Sequence, residues 1–364
     1  MKLRVGIVNV GPAWETRHLP ALRALTDRIE VRTVCDPVQH RAQFVAGQLG
    51  ATVSDSFQLV ARRSDIDALL LLSGRWYGAL PIFAACDAGK AVYSAAAFNI
   101  EDTEAAQLRT RVAQAGIAFM AEFPCRMSAA TLRLKELIAT RLGQPRLLFC
   151  NNHRTANLQE DQSRDPSQRR AYDLVQRIDW CRYVMDSEPT SLVSVRHKMP
   201  AHWTTGHETT GHETTGHETT GHETTGEHET KEHEASDYST LFLDFSPENE
   251  TGVGPLAQIG SADYIHSAWR DAASYRRPAE LEVVCDRGVA FVDLPSSITW
   301  FDEAGQHSET LDHERPVGEQ MLIHFHRAVE SLVLKTSSLA DAHRALSIAS
   351  KSRQSYQTGR RVNC

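Results

Sequence analysis

Residues 3 to 121 alternate short apolar runs with amphipathic segments, and this rhythm constrains the fold more than any other feature of the chain. Leu3–Val10 is an apolar strand, and His18–Ala24 follows with Leu19 and Leu22 at helical spacing, continued by Leu25. Glu30–Cys35 reads as a second strand, ending in Asp36-Pro37. Gln39–Leu49 reads as a helix closed by Gly50, and Ser56–Arg63 as another. Ala68–Leu72 has no polar face, as expected of a strand buried on both sides of a parallel sheet. A helix over Pro81–Ala88, a strand at Val92-Tyr93, a helix over Asp102–Ala115 and a strand at Ala118–Ala121 complete the series. Strands alternating with helices predict an α/β domain over residues 1–121, built on a doubly wound parallel sheet.

From residue 122 to 364 the rhythm changes. A helix over Ser128–Thr140 is followed by strand-like runs at Arg146–Asn151, Ser191–His197, Leu241–Phe245, Ala257–Ser261, Leu281–Val284, Val289–Leu294 and Ile298–Phe301. Turns join most of them, which predicts a mostly antiparallel open sheet in an α+β domain. Helices over Asp173–Met185, Gln320–Leu334 and Leu339–Ser355 are expected to cover one face of it, the last also packing back on the first domain. At 364 residues the chain is about the size of two domains.

His202–Glu234 fits neither domain. It holds four identical GHETT units and seven of the seventeen histidines. A period of five gives no helical face and alternates sides on a strand, so the segment has no apolar surface to bury. It reads as a low-complexity loop. Imidazoles beside glutamates could bind zinc, nickel or copper loosely, but a specific metal centre needs fixed geometry, and no metal site is assigned. The seven cysteines are scattered with no C-x-x-C, which suits free thiols in a cytoplasmic protein. A net charge of −7 offers no basic footprint for nucleic acid, and no run is long and apolar enough for a membrane span.

Ligands of parallel α/β sheets sit beyond the carboxyl ends of the strands. Three such ends carry candidates. After the first strand, Asn9, Gly11, Pro12 and Trp14 occupy the place of a G-x-G-x-x-G turn, of which only Gly11 remains. Asn9 tolerates a left-handed turn, while Trp14 is too large for the packing position of a third glycine. After the second strand, Asp36 stands where an acidic side chain accepts hydrogen bonds from an adenine ribose and repels a 2′-phosphate, favouring NAD over NADP. Capping the next helix is the simpler use for it, and both uses can hold together. After ALLLL, Ser73, Gly74 and Arg75 precede Trp76 and Tyr77. Arg75 could meet a phosphate or carboxylate and Trp76 or Tyr77 could stack on a ring, or one aromatic could simply be tucked beneath a surface loop. After Val92-Tyr93 comes a run without any ionisable group, Ala95-Ala96-Ala97.

The order and spacing of several segments resemble the glucose–fructose oxidoreductase / inositol dehydrogenase family (Gfo/Idh/MocA). These are RVGIVNVG with RHLPALRAL, VRTVCDPVQHRA, SDSFQLVARRSDIDALLLL, PIFAACDAGKAVY, FPCRMSAATLRLKELIATRLGQPR, IDWCRYVMDSEPTSLVSV, AELEVVCDRGVAFVDL and LADAHRALSIASKSRQSYQTGR. The resemblance implies a Rossmann-type domain followed by an α+β substrate and oligomerisation domain. It implies hydride transfer between NAD(P) and a sugar, polyol or related small molecule, in a homo-oligomer. It also implies a Glu-Lys-Pro motif, which falls here on Ala95, Ala96 and Ala97. The family's histidine falls on Gln176 and its helper aspartate on Tyr172. Pro124 and Cys125 replace the polar residues that open the second domain, while Arg126 is kept.

Three readings follow. In the first, the chain is an oxidoreductase with a relocated acid/base, drawn from Tyr93, Tyr172, Asp173 and Arg177. In the second, it is an inactive nucleotide- or sugar-binding homologue, acting as a sensor or partner subunit. In the third, the repeat gives it a metal-binding role.

Overall fold

The computed structural model describes residues 2–95, 102–155, 166–197, 238–248, 250–265, 271, 275–331 and 337–364. Ala96, Ala97 and the GHETT segment lie outside them.

The first sheet holds β1 (Leu3–Val8), β2 (Ile29–Cys35), β3 (Thr52–Val53), β4 (Ala68–Leu71), β5 (Ala91–Ser94) and β6 (Phe119–Ala121). Its order is β3-β2-β1-β4-β5-β6 with every pair parallel, so the chain doubles back beside β1 and a crevice opens past the ends of β1 and β4. The connections carry α1 (Leu19–Ala24), α2 (Gln39–Leu49), α3 (Phe57–Arg62), α4 (Leu80–Asp87) and α5 (Asp102–Ala115). Strand β1 ends two residues short of the expected Val10, because Asn9 turns left-handed with φ 55°. The helix expected from His18 is entered through a wider π turn, Trp14–His18. Gly50 closes α2 in the left-handed conformation, φ 65°, as a C-terminal glycine does.

The second sheet runs β14-β13-β12-β11-β7-β10-β9-β8-β15. Its strands are β7 (Pro145–Thr155), β8 (Ser191–His197), β9 (Tyr238–Asp244), β10 (Leu256–Ile265), β11 (Leu281–Cys285), β12 (Gly288–Asp293), β13 (Ser297–Asp302), β14 (Gly305–Thr310) and β15 (Val362–Asn363). All pairs are antiparallel except β7 with β10. This part of the chain also carries α6 (Ala129–Leu137), α7 (Pro166–Met185), α8 (Val317–Glu330) and α9 (Ser337–Thr358). Ser128 caps α6 by accepting from the Thr131 amide at 3.2 Å.

Helix α8 departs from expectation. It covers the parallel sheet, not the antiparallel one. Met321 and Phe325 join Val5, Ile7, Leu22 and Tyr93 in one apolar cluster, and the Phe325 and Tyr93 rings meet edge to face at 5.7 Å. The short α1 leaves part of that sheet face uncovered, and the apolar stripe of α8 fills it. Helix α9 packs on α7 and β8 and also on α5 and β6. Among the described residues, no helix is long and apolar enough to cross a membrane.

Candidate active site

A cleft of about 670 Å³ opens where β1, β4 and β5 end. The loop Val10–Trp14 forms one wall, Leu72–Trp76 the other, and Ala95, Tyr172, Arg17, His18 and Arg41 complete it. The two loops cross closely. A Cβ on Gly11 would stand 2.1 Å from the Leu72 carbonyl oxygen, so only glycine fits there. Asn9 ties three strand ends together: its amide donates to the Cys35 carbonyl at 2.9 Å and its Nδ2 to the Ser73 carbonyl at 3.0 Å.

Trp14 resolves the misfit that the sequence presents. Its indole is buried, with Nε1 donating to Gln48 Oε1 of α2 at 3.2 Å. The ring fills the space between loop and helix that a small residue closes in a tighter turn, and the chain enters α1 by the π turn.

Asp36 accepts three hydrogen bonds within the protein. Its Oδ2 accepts from the Val10 amide at 2.9 Å, and its Oδ1 accepts from the Val38 amide at 2.9 Å and from Arg41 Nη2 at 2.7 Å. It makes a local turn onto Val38 and is not a cap of α2, whose N-cap position is Val38 itself. The Asp36 side chain is fully buried and lies outside the cleft lining, while its partner Arg41 lines the cleft.

In the second loop, Arg75 lies over the Trp76 ring at 5.1 Å, and Trp76 is 53% exposed at the cleft wall. Tyr77 is the aromatic tucked beneath, packed on Phe57 with centroids 4.8 Å apart.

Under the cleft lies a buried ionic cluster. Glu122, fully buried at the end of β6, pairs with Arg17 and with His18, whose Nε2 is 3.0 Å from Glu122 Oε2. Burial pushes the Glu122 carboxyl up, but the neighbouring His18 and Arg17 outweigh it and hold the group at about 2. Gln176 donates Nε2 to the Glu122 carbonyl at 3.0 Å, anchoring α7 to the same point.

The four acid/base candidates separate. Tyr172 lines the cleft. Asp173 follows it on α7 and is half-buried. Tyr93 is fully buried outside the cleft lining; its hydroxyl meets Met321 Sδ at 3.7 Å, and burial pushes its ionisation well above the ordinary tyrosine value. Arg177 also lies outside the lining, over the Trp180 ring at 5.3 Å with Nη1 3.5 Å from Glu280. Arg126 instead joins Asp179 of α7 to Asp341 of α9.

Sequence reasoning missed Arg17, His18, Arg41 and Glu122. A usable signal existed for Glu122: a lone carboxylate directly after the buried strand Phe119–Ala121. Arg17 and His18 opened a predicted helix and read only as its polar start.

Residues 3–139 match an oxidoreductase family with an NAD-binding Rossmann fold. Inositol 2-dehydrogenase 3 of Saccharopolyspora erythraea is 32% identical over 205 residues, which are 54% of this chain and 57% of that protein. The chain thus spans little more than half the length of this relative. Aldose-aldose oxidoreductase from Caulobacter crescentus, in complex with glycerol, superposes with a TM-score of 0.75 over 100% of both chains at 14% identity. Levoglucosan dehydrogenase, in complex with NADH and levoglucosan, gives a TM-score of 0.75 over 100% of this chain and 99% of that one, also at 14% identity. These two likenesses show the shared two-domain fold.

Proposed function

The chain belongs, through residues 3–139, to the Gfo/Idh/MocA oxidoreductase family, and from that premise we propose that it oxidises or reduces a sugar, polyol or related small molecule with NAD(P). The observation that carries the reading is the crossing of Gly11 over the Leu72 carbonyl, which opens a cleft at the ends of β1, β4 and β5. Its volume lies within the range of small-molecule and cofactor sites. Arg41, in the cleft lining, has a buried Nε with no hydrogen-bond partner among the described residues, which remains for a polar ligand. When bound, the nicotinamide supplies the two-electron acceptor or donor for a carbinol carbon.

The chain's own residues then divide the work. Asn9, Gly11, Pro12 and the wall Ser73-Gly74-Arg75 hold the phosphates, with Arg75 as the cation. Trp14 keeps the first loop in place from beneath, and Trp76 offers a flat apolar face to a ring. Asp36 keeps NAD preferred over NADP, while Arg41, paired to it at 2.7 Å, narrows the margin by cancelling much of its charge. Tyr172 and Asp173 face the hydroxyls of the substrate; Tyr93 and Arg177 support the floor and α7. The family's lysine and histidine positions are held by Ala96 and Gln176, so the hydroxyl proton has to leave by another route. The seven cysteines, all unpaired, suit a cytoplasmic setting, and the open face of the second sheet suits a second copy of the chain.

The test is turnover with NAD and NADP across myo-inositol, glucose, glycerol and levoglucosan. Reduced cofactor formed above background with at least one of them is expected. Binding of NADH without any turnover would contradict an oxidoreductase role.

A second reading, an inactive binding homologue, is favoured by Ala95, which puts a methyl group in the cleft where the β5 loop begins. In that case Ala96→Lys gains no activity, because Gln176 cannot assist the new lysine.

A further inference from the structure

Resting on the oxidoreductase reading above, we propose that His18 is the acid/base of this cleft, with Glu122 and Arg17 as positioning residues. Three observations converge. His18 lines the cleft together with Ala95 and Tyr172, although it is 3% exposed as a whole residue. Its Nε2 faces Glu122 Oε2 at 3.0 Å, while its Nδ1 is buried with no hydrogen-bond partner among the described residues. Glu122 is itself fixed by Arg17 through its side chain and by Gln176 through its carbonyl.

An ionised Glu122 accepts from Nε2–H, so the neutral ring keeps its lone pair on Nδ1. An imidazole whose one nitrogen is held by a carboxylate and whose other is left without a partner is the arrangement that general-base catalysis uses. A purely structural histidine in a buried cluster would have both nitrogens satisfied, since an orphaned buried acceptor is costly. The positions also match the need. The alanine run removes a proton acceptor from the end of β5, and His18 lines the same cleft from the end of the π turn that follows β1.

In the oxidation direction the substrate O–H bond breaks and an Nδ1–H bond forms. The C–H electron pair leaves as hydride for the nicotinamide oxidant, and the carbinol becomes a carbonyl, losing two electrons and two hydrogens. The imidazolium so formed lies against Glu122, which balances its charge. In the reduction direction the same proton returns.

The experiment compares wild type, His18→Asn, His18→Ala and Glu122→Gln. NADH titration by fluorescence reports the cofactor site, and long-range ¹H–¹⁵N spectra report the His18 ring, assigned by the signal lost in H18N. The expected result is an Nε2-protonated tautomer for His18 in wild type, NADH affinity within about threefold in H18N, and kcat with the best polyol lowered about 10²–10⁴-fold. Added imidazole restores part of the rate in H18A and none in E122Q. An Nδ1-protonated tautomer, or a kcat in H18N within about twofold of wild type, overturns the role of His18 and leaves the oxidoreductase reading standing. Absence of turnover in wild type, with NADH bound, overturns that reading and the proposal together.

Discussion

At the scale of single residues, three positions decide how the cleft behaves. Arg41 sits 2.7 Å from Asp36 and neutralises the carboxylate that would repel a 2′-phosphate. Removing it in Arg41→Ala should leave that charge uncompensated. NADP affinity should fall about tenfold more than NAD affinity, read as the ratio of the two dissociation constants; equal changes would exclude Asp36 from cofactor choice. Glu122 makes the second prediction. Its carboxyl is held at about 2 against an ordinary 4.5, so the folded state favours the ionised form. That stabilisation is complete above pH 4.5 and is lost as pH falls through the folded value. Thermal midpoints between pH 5 and pH 2 should therefore drop more steeply in wild type than in Glu122→Gln, and parallel slopes would contradict the assignment. Gly11 is the third: nothing larger clears the Leu72 carbonyl.

Legibility at this scale was uneven for a physical reason. Gly11, Asn9 and Asp36 could be read because backbone geometry near a strand end restricts the residue type. The neighbours of Asp36 could not: sequence gives the carboxylate but not the three donors that engage it. His18 and Glu122 are 104 positions apart along the chain and meet only because β1 and β6 end on the same edge of one sheet.

At the scale of elements, the six-stranded parallel sheet was legible because its strands are apolar on both faces and its helices end in glycine or begin after turn residues. The strands that escaped notice carry no such contrast. β14, Gly305–Thr310, is polar throughout and held by its pairing with β13, and β3 and β15 span two residues each. Helix α8 was placed on the wrong sheet because an amphipathic stripe states that it buries a face without stating against what. The start of α6 is well defined: Ser128 accepts from the Thr131 amide and is itself buried. Ser128→Ala should cost about 1 kcal/mol in denaturant unfolding, with Ser128→Asp losing less. No change on Ser128→Ala would mean that the cap contributes nothing to holding α6.

At the scale of the whole molecule, the two sheets share one working unit. Helix α7 carries Tyr172 to the cleft, Gln176 to the Glu122 carbonyl and Asp179 to Arg126, which also holds Asp341 of α9. The second domain is thus fastened to the parallel sheet beside the cleft. The family resemblance in the sequence pointed to this architecture, and the alanine run after Tyr93 pointed to altered chemistry. What the run did not tell is that a histidine of the π turn pairs with a buried glutamate at the end of β6, the strand next to β5.

The central claim is a dinucleotide site built on the crossing of Gly11 and Leu72. Calorimetric titration of wild type and Gly11→Ala with NADH and NADPH tests it most directly. The account predicts saturable binding of NADH by wild type and at least about tenfold weaker binding by Gly11→Ala, because a methyl group would force the two walls apart. Absence of binding of either cofactor to wild type, or unchanged affinity in Gly11→Ala, would contradict it.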